Sequence, residues 1–155
     1  MTTPQITPFI WLDADPREAR DYYFSVFDDT AEVFSMPGSG GAPMGIAISI
    51  GGNPYILFNG GPGHPQTDAF SLMISAEGQE EVDRYGDALT ADGGEEGQCG
   101  WLKDKYGISW QVVPTVLPEV MGGPDPEGRA RASQAMMSMK KLIVADLQAA
   151  YDGTA

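Results

Sequence analysis

The spacing of apolar residues changes period several times along the chain, and the changes mark out its elements. Residues 6–12, ITPFIWL, form a short apolar run rich in strand formers, closed by DADPRE. There Asp15 stands as an N-cap, Pro16 at the first helical position and Glu18 in the first turn, so a helix is predicted to begin. Ala19, Tyr22, Val26 and Phe27 follow at helical spacing as one buried stripe, and Asp28-Asp29 closes the element. The period then shortens. Residues 31–36, 44–50 and 53–58 read as three strands, separated by the glycine-rich PGSGGAP and by Gly51-Gly52. Residues 5–62 thus make one βαβββ module.

The pattern then repeats. Residues 70–75 read as a strand and 78–89 as a helix with the stripe Val82, Tyr85 and Leu89. Laying Tyr85 on Tyr22 gives an offset of 63 residues, which also brings Val82 onto Ala19, Leu89 onto Val26 and Leu72 onto Phe9. Residues 97–102 and 108–113 are predicted strands, joined by a hairpin turn over 103–107 that ends in Gly107. Residues 68–114 therefore form a second module, although not every strand of the first has an evident counterpart. Beyond Pro114 the texture turns helical, with Asp125 as cap and Pro126 behind it. Met136, Met139, Ile143 and Leu147 recur at i, i+3, i+7 and i+11, one apolar face of a C-terminal helical extension over 115–155. The expected fold class is α+β: two tandem βαβββ modules, each a half-barrel, and a helical extension, together one domain over 1–155.

Composition narrows the partners. The chain of 155 residues carries 22 acidic against 9 basic side chains, a net charge of -13 that repels phosphate backbones and anionic membranes. Nucleic acid and membrane are excluded as expected partners, and no apolar run approaches the ~18 residues of a membrane span. A single cysteine excludes an internal disulfide. MTTPQITPF has neither a basic nor an apolar leader pattern, and a cytoplasmic location is expected.

Two such modules, with DADPREARDYYFSVF in the first and DKYGISWQVV closing the second, resemble the vicinal oxygen chelate superfamily of glyoxalases, bleomycin-resistance proteins and extradiol dioxygenases. The stretches ILFNGGPG, EEVDRYGDAL, QCGWLKDKYGISWQVVP and the tail from DPE through AMMSMKKL resemble its PhnB-like, demethylubiquinone methyltransferase-like branch. The resemblance implies a cavity against each curled sheet, association as a homodimer, and, in metal-using members, an ion held by His, Glu or Gln from the first and last strands of a module. By register those positions fall near Pro8 and Ile56 in the first module and at Ser71 and Gln111 in the second. One amide, one hydroxyl and two groups that cannot ligate make a poor donor set for a divalent ion, so no metal cofactor is expected. The methyltransferase label implies S-adenosylmethionine, but PGSGGAPMG lies between two predicted strands and opens no helix, unlike a nucleotide-binding turn.

The candidate site residues follow. Gln111 is a polar amide on an otherwise apolar strand and needs hydrogen-bond partners, Ser71 among them. Side chains alternate along a strand, so with Gln111 in the pocket, as the resemblance implies, Trp110 turns to the core and Trp101 becomes the pocket aromatic. Phe9, Phe58 and Asn59 are further ligand-binding candidates, Asn59 having turn capping as its alternative; Tyr55 and His64 are weaker ones of the same kind. Cys99 is a nucleophile by type, but no histidine lies near it in sequence, and a small half-buried hydrophobe is the better reading. The acids at 80–83 and 95–96 read as solvated faces. The expected function is a metal-free pocket for a small organic molecule. The alternatives are a metal-dependent glyoxalase, lyase or dioxygenase and an S-adenosylmethionine-dependent methyltransferase.

Overall fold

The structure, a computed structural model, describes residues 2–155. Contacts divide the chain into two compact units, one ending at Pro65 and one beginning at Gln66. In the first unit β1 (Phe9–Leu12) leads into α1 (Pro16–Val26), followed by β2 (Thr30–Met36), β3 (Gly45–Ile50) and β4 (Asn53–Asn59). The sheet order is β1-β4-β3-β2, with β1 parallel to β4 and the other pairs antiparallel. Asp15 caps α1 by accepting from the Arg17 N–H, and Pro16 occupies the first turn. Leu12, Ile46, Ile48 and Leu57 of the sheet are buried, as are Ala19, Tyr23 and Val26 of the helix. Tyr23, not Tyr22, is the buried tyrosine: the stripe runs i, i+4, i+7 from Ala19, and the adjacent tyrosine lies a hundred degrees around the helix.

The second unit repeats this topology. It comprises β5 (Leu72–Ala76), α2 (Gly78–Thr90), β6 (Glu95–Glu96), β7 (Trp101–Lys103) and β8 (Ser109–Pro114), in the sheet order β5-β8-β7-β6. β6 is the missing counterpart of β2, two acidic residues long and paired only to β7. Residues 97–100, expected as strand, form a turn instead, with Cys99 at φ 56 and Trp101 donating to the Gln98 carbonyl at 3.0 Å. α2 buries Val82, Gly86 and Leu89, at the offset of 63 from Ala19, Tyr23 and Val26. The strands do not share that offset. Phe9 pairs with Ile56 and Met73 with Gln111, whereas Leu72 pairs with Trp110 on the buried side, so Met73 rather than Leu72 matches Phe9.

Three helices follow: α3 (Val116–Gly122), α4 (Pro126–Met137) and α5 (Val144–Asp152). Asp125 caps α4, and Arg131 donates to the Ala150 and Tyr151 carbonyls at the end of α5. The single long apolar stripe expected through Met136 and Leu147 is broken at 138–143. There the chain runs across unit 2: the Cys99 and Gly100 N–H groups donate to the Met139 and Lys140 carbonyls, and the Gln79 amide bonds both Leu142 O and Val144 N. This detour buries Leu142 completely. Among the described residues no helix is long and apolar enough to cross a membrane.

The β7–β8 hairpin is organised by a buried carboxylate. Asp104, 2% exposed, accepts from the N–H groups of Tyr106 and Ile108 and from Trp110 Nε1 at 2.8, 3.1 and 2.9 Å. Gly107 closes the turn at φ 80. Asp104→Ala removes the acceptor from three N–H groups and is expected to lower the unfolding free energy by about 3 kcal/mol, with Asp104→Asn costing less. Urea denaturation measures both, and an unchanged midpoint for Asp104→Ala would mean that the turn holds without its carboxylate.

Candidate functional site

In unit 2, strand alternation separates two faces. Leu102, Trp110 and Val112 are buried on the side that α2 packs against, with Trp110 only 5% exposed. Trp101 lies directly opposite Gln111, and Gln111 directly beside Met73, so these three make one row across the open face. Met73 is 62% exposed. Gln111 Nε2 donates to Ser71 Oγ at 3.0 Å, so the amide and the hydroxyl form one polar point in an apolar row. After that bond Gln111 keeps a second N–H and its Oε1 carbonyl, and Ser71 keeps its own O–H, which together can present both donors and an acceptor.

Beside this row an open groove of about 540 Å³ runs along β6 and β7, lined by Asp68, Glu96, Gln98, Cys99, Trp101 and Lys103 among others. Trp101 belongs to both groove and row. Asp68 accepts from Ser109 Oγ at 2.7 Å and pairs with Lys103 Nζ at 3.5 Å. The Ser109 hydroxyl, helped by the Lys103 charge, holds the Asp68 carboxyl below the usual carboxylate range. Cys99 is half-buried in its left-handed turn, with its backbone tied to Met139. No histidine lies in unit 2 to act as its base.

Unit 1 presents a different open face. Phe9 and Trp11 alternate with Ile10 and Leu12 along β1, and Phe9 and Trp11 stand opposite Ile56 and Phe58. The Phe9 and Phe58 rings lie 5.1 Å apart and the Trp11 and Phe58 rings 5.4 Å apart, the latter edge-on. Trp11 Nε1 donates to the Gly61 carbonyl at 2.8 Å, and His64 packs on the indole at 4.2 Å between centroids. The loop passes so close that a Cβ on Gly60 would lie 2.1 Å from the indole. Asn59 turns this loop by accepting from the Gly61 N–H at 3.2 Å, the Asx geometry of a turn residue. Tyr55 stands opposite the buried Ile48 and so faces the core, and its burial raises the hydroxyl pKa.

Of the candidate residues, Ser71, Gln111 and Trp101 come together in unit 2, while Phe9, Phe58 and Asn59 belong to the aromatic face of unit 1. Trp11 and Asp68 were missed from the sequence. Trp11 was legible, since alternation with the Ile10 and Leu12 positions puts it beside Phe9; Asp68 lies in a loop and carries no such pattern.

The metal site that the resemblance implies can be tested against these donors. Pro8 and Ile56 offer no ligating side chain, Ser71 and Gln111 are neutral and bonded to each other, and no three His, Cys, Asp or Glu side chains converge as a ligand set among the described residues. The donor set does not fit a catalytic divalent ion. Nor does the glycine run fit a nucleotide-type cofactor, because it connects β2 to β3 and opens no helix.

The sequence model of a family described as 3-demethylubiquinone-9 3-methyltransferase matches residues 4–113. Among solved structures, the PhnB protein from Bacillus cereus is 25% identical with a TM-score of 0.64, over 72% of this chain and 100% of that one. The fosfomycin resistance protein FosX from Mesorhizobium loti is 15% identical with a TM-score of 0.58, over 79% of this chain and 100% of that one. Its counterpart from Listeria monocytogenes, complexed with Mn(II) and sulfate, is 16% identical with a TM-score of 0.55, over 79% and 98%. These two share the fold alone. No curated protein matches the chain.

The Asp68 contact sets a titration test. With its folded pKa depressed, this carboxylate contributes any stabilisation above the ordinary carboxylate range and loses it as pH falls through the folded value. In Ser109→Ala the Asp68 pKa is expected to rise toward the ordinary value, read by NMR titration of its side-chain carbon. An unmoved titration would assign the depression to Lys103 instead.

Proposed function

Since the chain belongs to the 3-demethylubiquinone-9 3-methyltransferase family, the PhnB-like branch of the vicinal oxygen chelate superfamily, we propose that the open face of unit 2 binds a small flat organic molecule bearing a carbonyl or hydroxyl group, without a metal ion. The observation that carries this reading is the Gln111–Ser71 hydrogen bond beside Trp101. An indole supplies a broad apolar wall, and an amide coupled to a hydroxyl recognises a polar substituent by orientation. Neither Gln111 nor Ser71 titrates near neutral pH, so the pair suits recognition better than proton transfer. A binding or sequestering role follows from this chemistry. For the methyl-transfer activity in the family's description, the glycine run between β2 and β3 offers no helix N-terminus as a cofactor cradle.

The pair is tested with 2-acetylnaphthalene, a flat aromatic ketone, titrated into isotopically labelled full-length protein. Saturable NMR shifts are expected at the Trp101 indole, the Gln111 amide and the Ser71 backbone. Trp101→Ala and Gln111→Leu are each expected to weaken binding roughly tenfold at little cost in melting temperature. Shifts elsewhere only, one equivalent of bound transition metal after purification without chelator, or saturable binding of S-adenosylmethionine would each overturn the reading.

A homodimer is part of the same proposal. The exposed Val33 and Phe34 on the edge strand β2 support it, since apolar side chains at a sheet edge favour burial against a partner. Sedimentation velocity is expected to show twice the chain mass, and a single monomeric species at about 100 μM would exclude it.

A further inference from the structure

The two units bury their helices in one register and fill the middle of it differently. Ala19, Tyr23 and Val26 of α1 correspond to Val82, Gly86 and Leu89 of α2, both sets spaced i, i+4, i+7. Tyr23 is 2% exposed and among the largest fully buried side chains of the chain. Its counterpart has no side chain at all.

Helix geometry does not demand this glycine. A glycine in a helix interior costs about 1 kcal/mol relative to alanine. A Cβ on Gly86 would meet only Lys141 Cε, at 3.4 Å, an ordinary contact. What the missing side chain leaves is space. A cavity of about 210 Å³ lies there, lined by the apolar Val82, Trp101, Leu102, Val112 and Leu142 and by several polar or charged side chains, Asp87 and Lys141 among them. Lys141 Nζ and Asp87 Oδ1 are 2.7 Å apart, so this part of the lining is both charged and able to hydrogen-bond. Leu142, brought in by the 138–143 detour, covers the cavity without filling it.

We propose that this cavity is a binding site for a monocyclic phenol, whose ring takes the place in unit 2 that the Tyr23 ring takes in unit 1. The apolar part of the lining suits an aromatic ring, and the Lys141–Asp87 pair can hydrogen-bond one hydroxyl. The volume is ample, because an apolar protein cavity of about 150 Å³ already holds benzene. The cavity shares Trp101 with the Gln111–Ser71 face but not Gln111 itself: Val112 alternates with Gln111 along β8 and points to the other side of the sheet. Gln111 and Gly86, each belonging to one site alone, tell the two readings apart.

The probe is p-cresol, the tyrosine side chain cut at Cβ, titrated into the labelled full-length protein and followed by amide NMR. Saturable shifts centred on Gly86, Val112 and Lys141 are expected, with a dissociation constant of about 1 mM. Gly86→Leu, which fills the space, is expected to abolish them, and Gly86→Ala to weaken binding at least threefold. Should Gly86→Leu fail to fold, Gly86→Ala decides the matter. Absence of saturable shifts up to about 10 mM, shifts confined to Trp101 and Gln111, or unaltered affinity in a folded Gly86 variant would overturn the proposal.

Discussion

The side chain on which unit 2 most depends is a carboxylate almost wholly withdrawn from solvent. Asp104 holds two backbone N–H groups of its own turn and the indole of Trp110, and in doing so it fixes where β8 begins. Because successive strand residues face opposite sides, a slip of one residue here would exchange Trp110 with Gln111. The core would receive an amide and the open face a second tryptophan. With Trp110 pinned, Gln111 must face outward, Trp101 must stand opposite it, and Ser71 lies within reach. A buried charge is costly to hold, and three donated hydrogen bonds offset that cost only in this register.

The repeated module was legible because its signals are local. Asp15 and Asp125 cap helices with proline behind them, Gly107 turns a hairpin, and the alternation of Trp110 with Gln111 assigns opposite faces without any tertiary information. What escaped depends on distant partners. Glu95–Glu96 reads as a solvated acidic pair and is also an edge strand, where charge is common because it discourages further pairing. The tail has good helix formers through 138–143, yet donors from Gln79, Cys99 and Gly100 hold its carbonyls out of a helix. Tyr22 and Tyr23 are chemically equal neighbours, and only packing against the sheet chooses between them. The Ser71–Gln111 pair emerged from register over 40 positions, whereas the Asp68–Ser109–Lys103 cluster brings a loop to a hairpin and leaves no periodic trace.

The two units show how little of a shared scaffold dictates its surface. Both pair their first and last strands in parallel and bury one helix, but unit 1 exposes clustered rings while unit 2 exposes an amide, a hydroxyl, a thioether and one indole. The chemistry of these open faces is carried by a few outward positions. The family description accordingly identifies the scaffold more securely than any reaction run on it.

The position of Leu142 has a consequence for how the chain is made. Synthesis is vectorial, and domains close as soon as their own residues have emerged. The core of unit 1 is complete by Phe58, because Tyr23 supplies its central side chain from within. Unit 2 has its sheet and helix by Pro114, yet Val82, Leu102 and Val112 remain uncovered until a residue 28 positions further on has left the ribosome. Through that interval the nascent chain carries one closed half and one whose apolar seam is open to water and to chaperones.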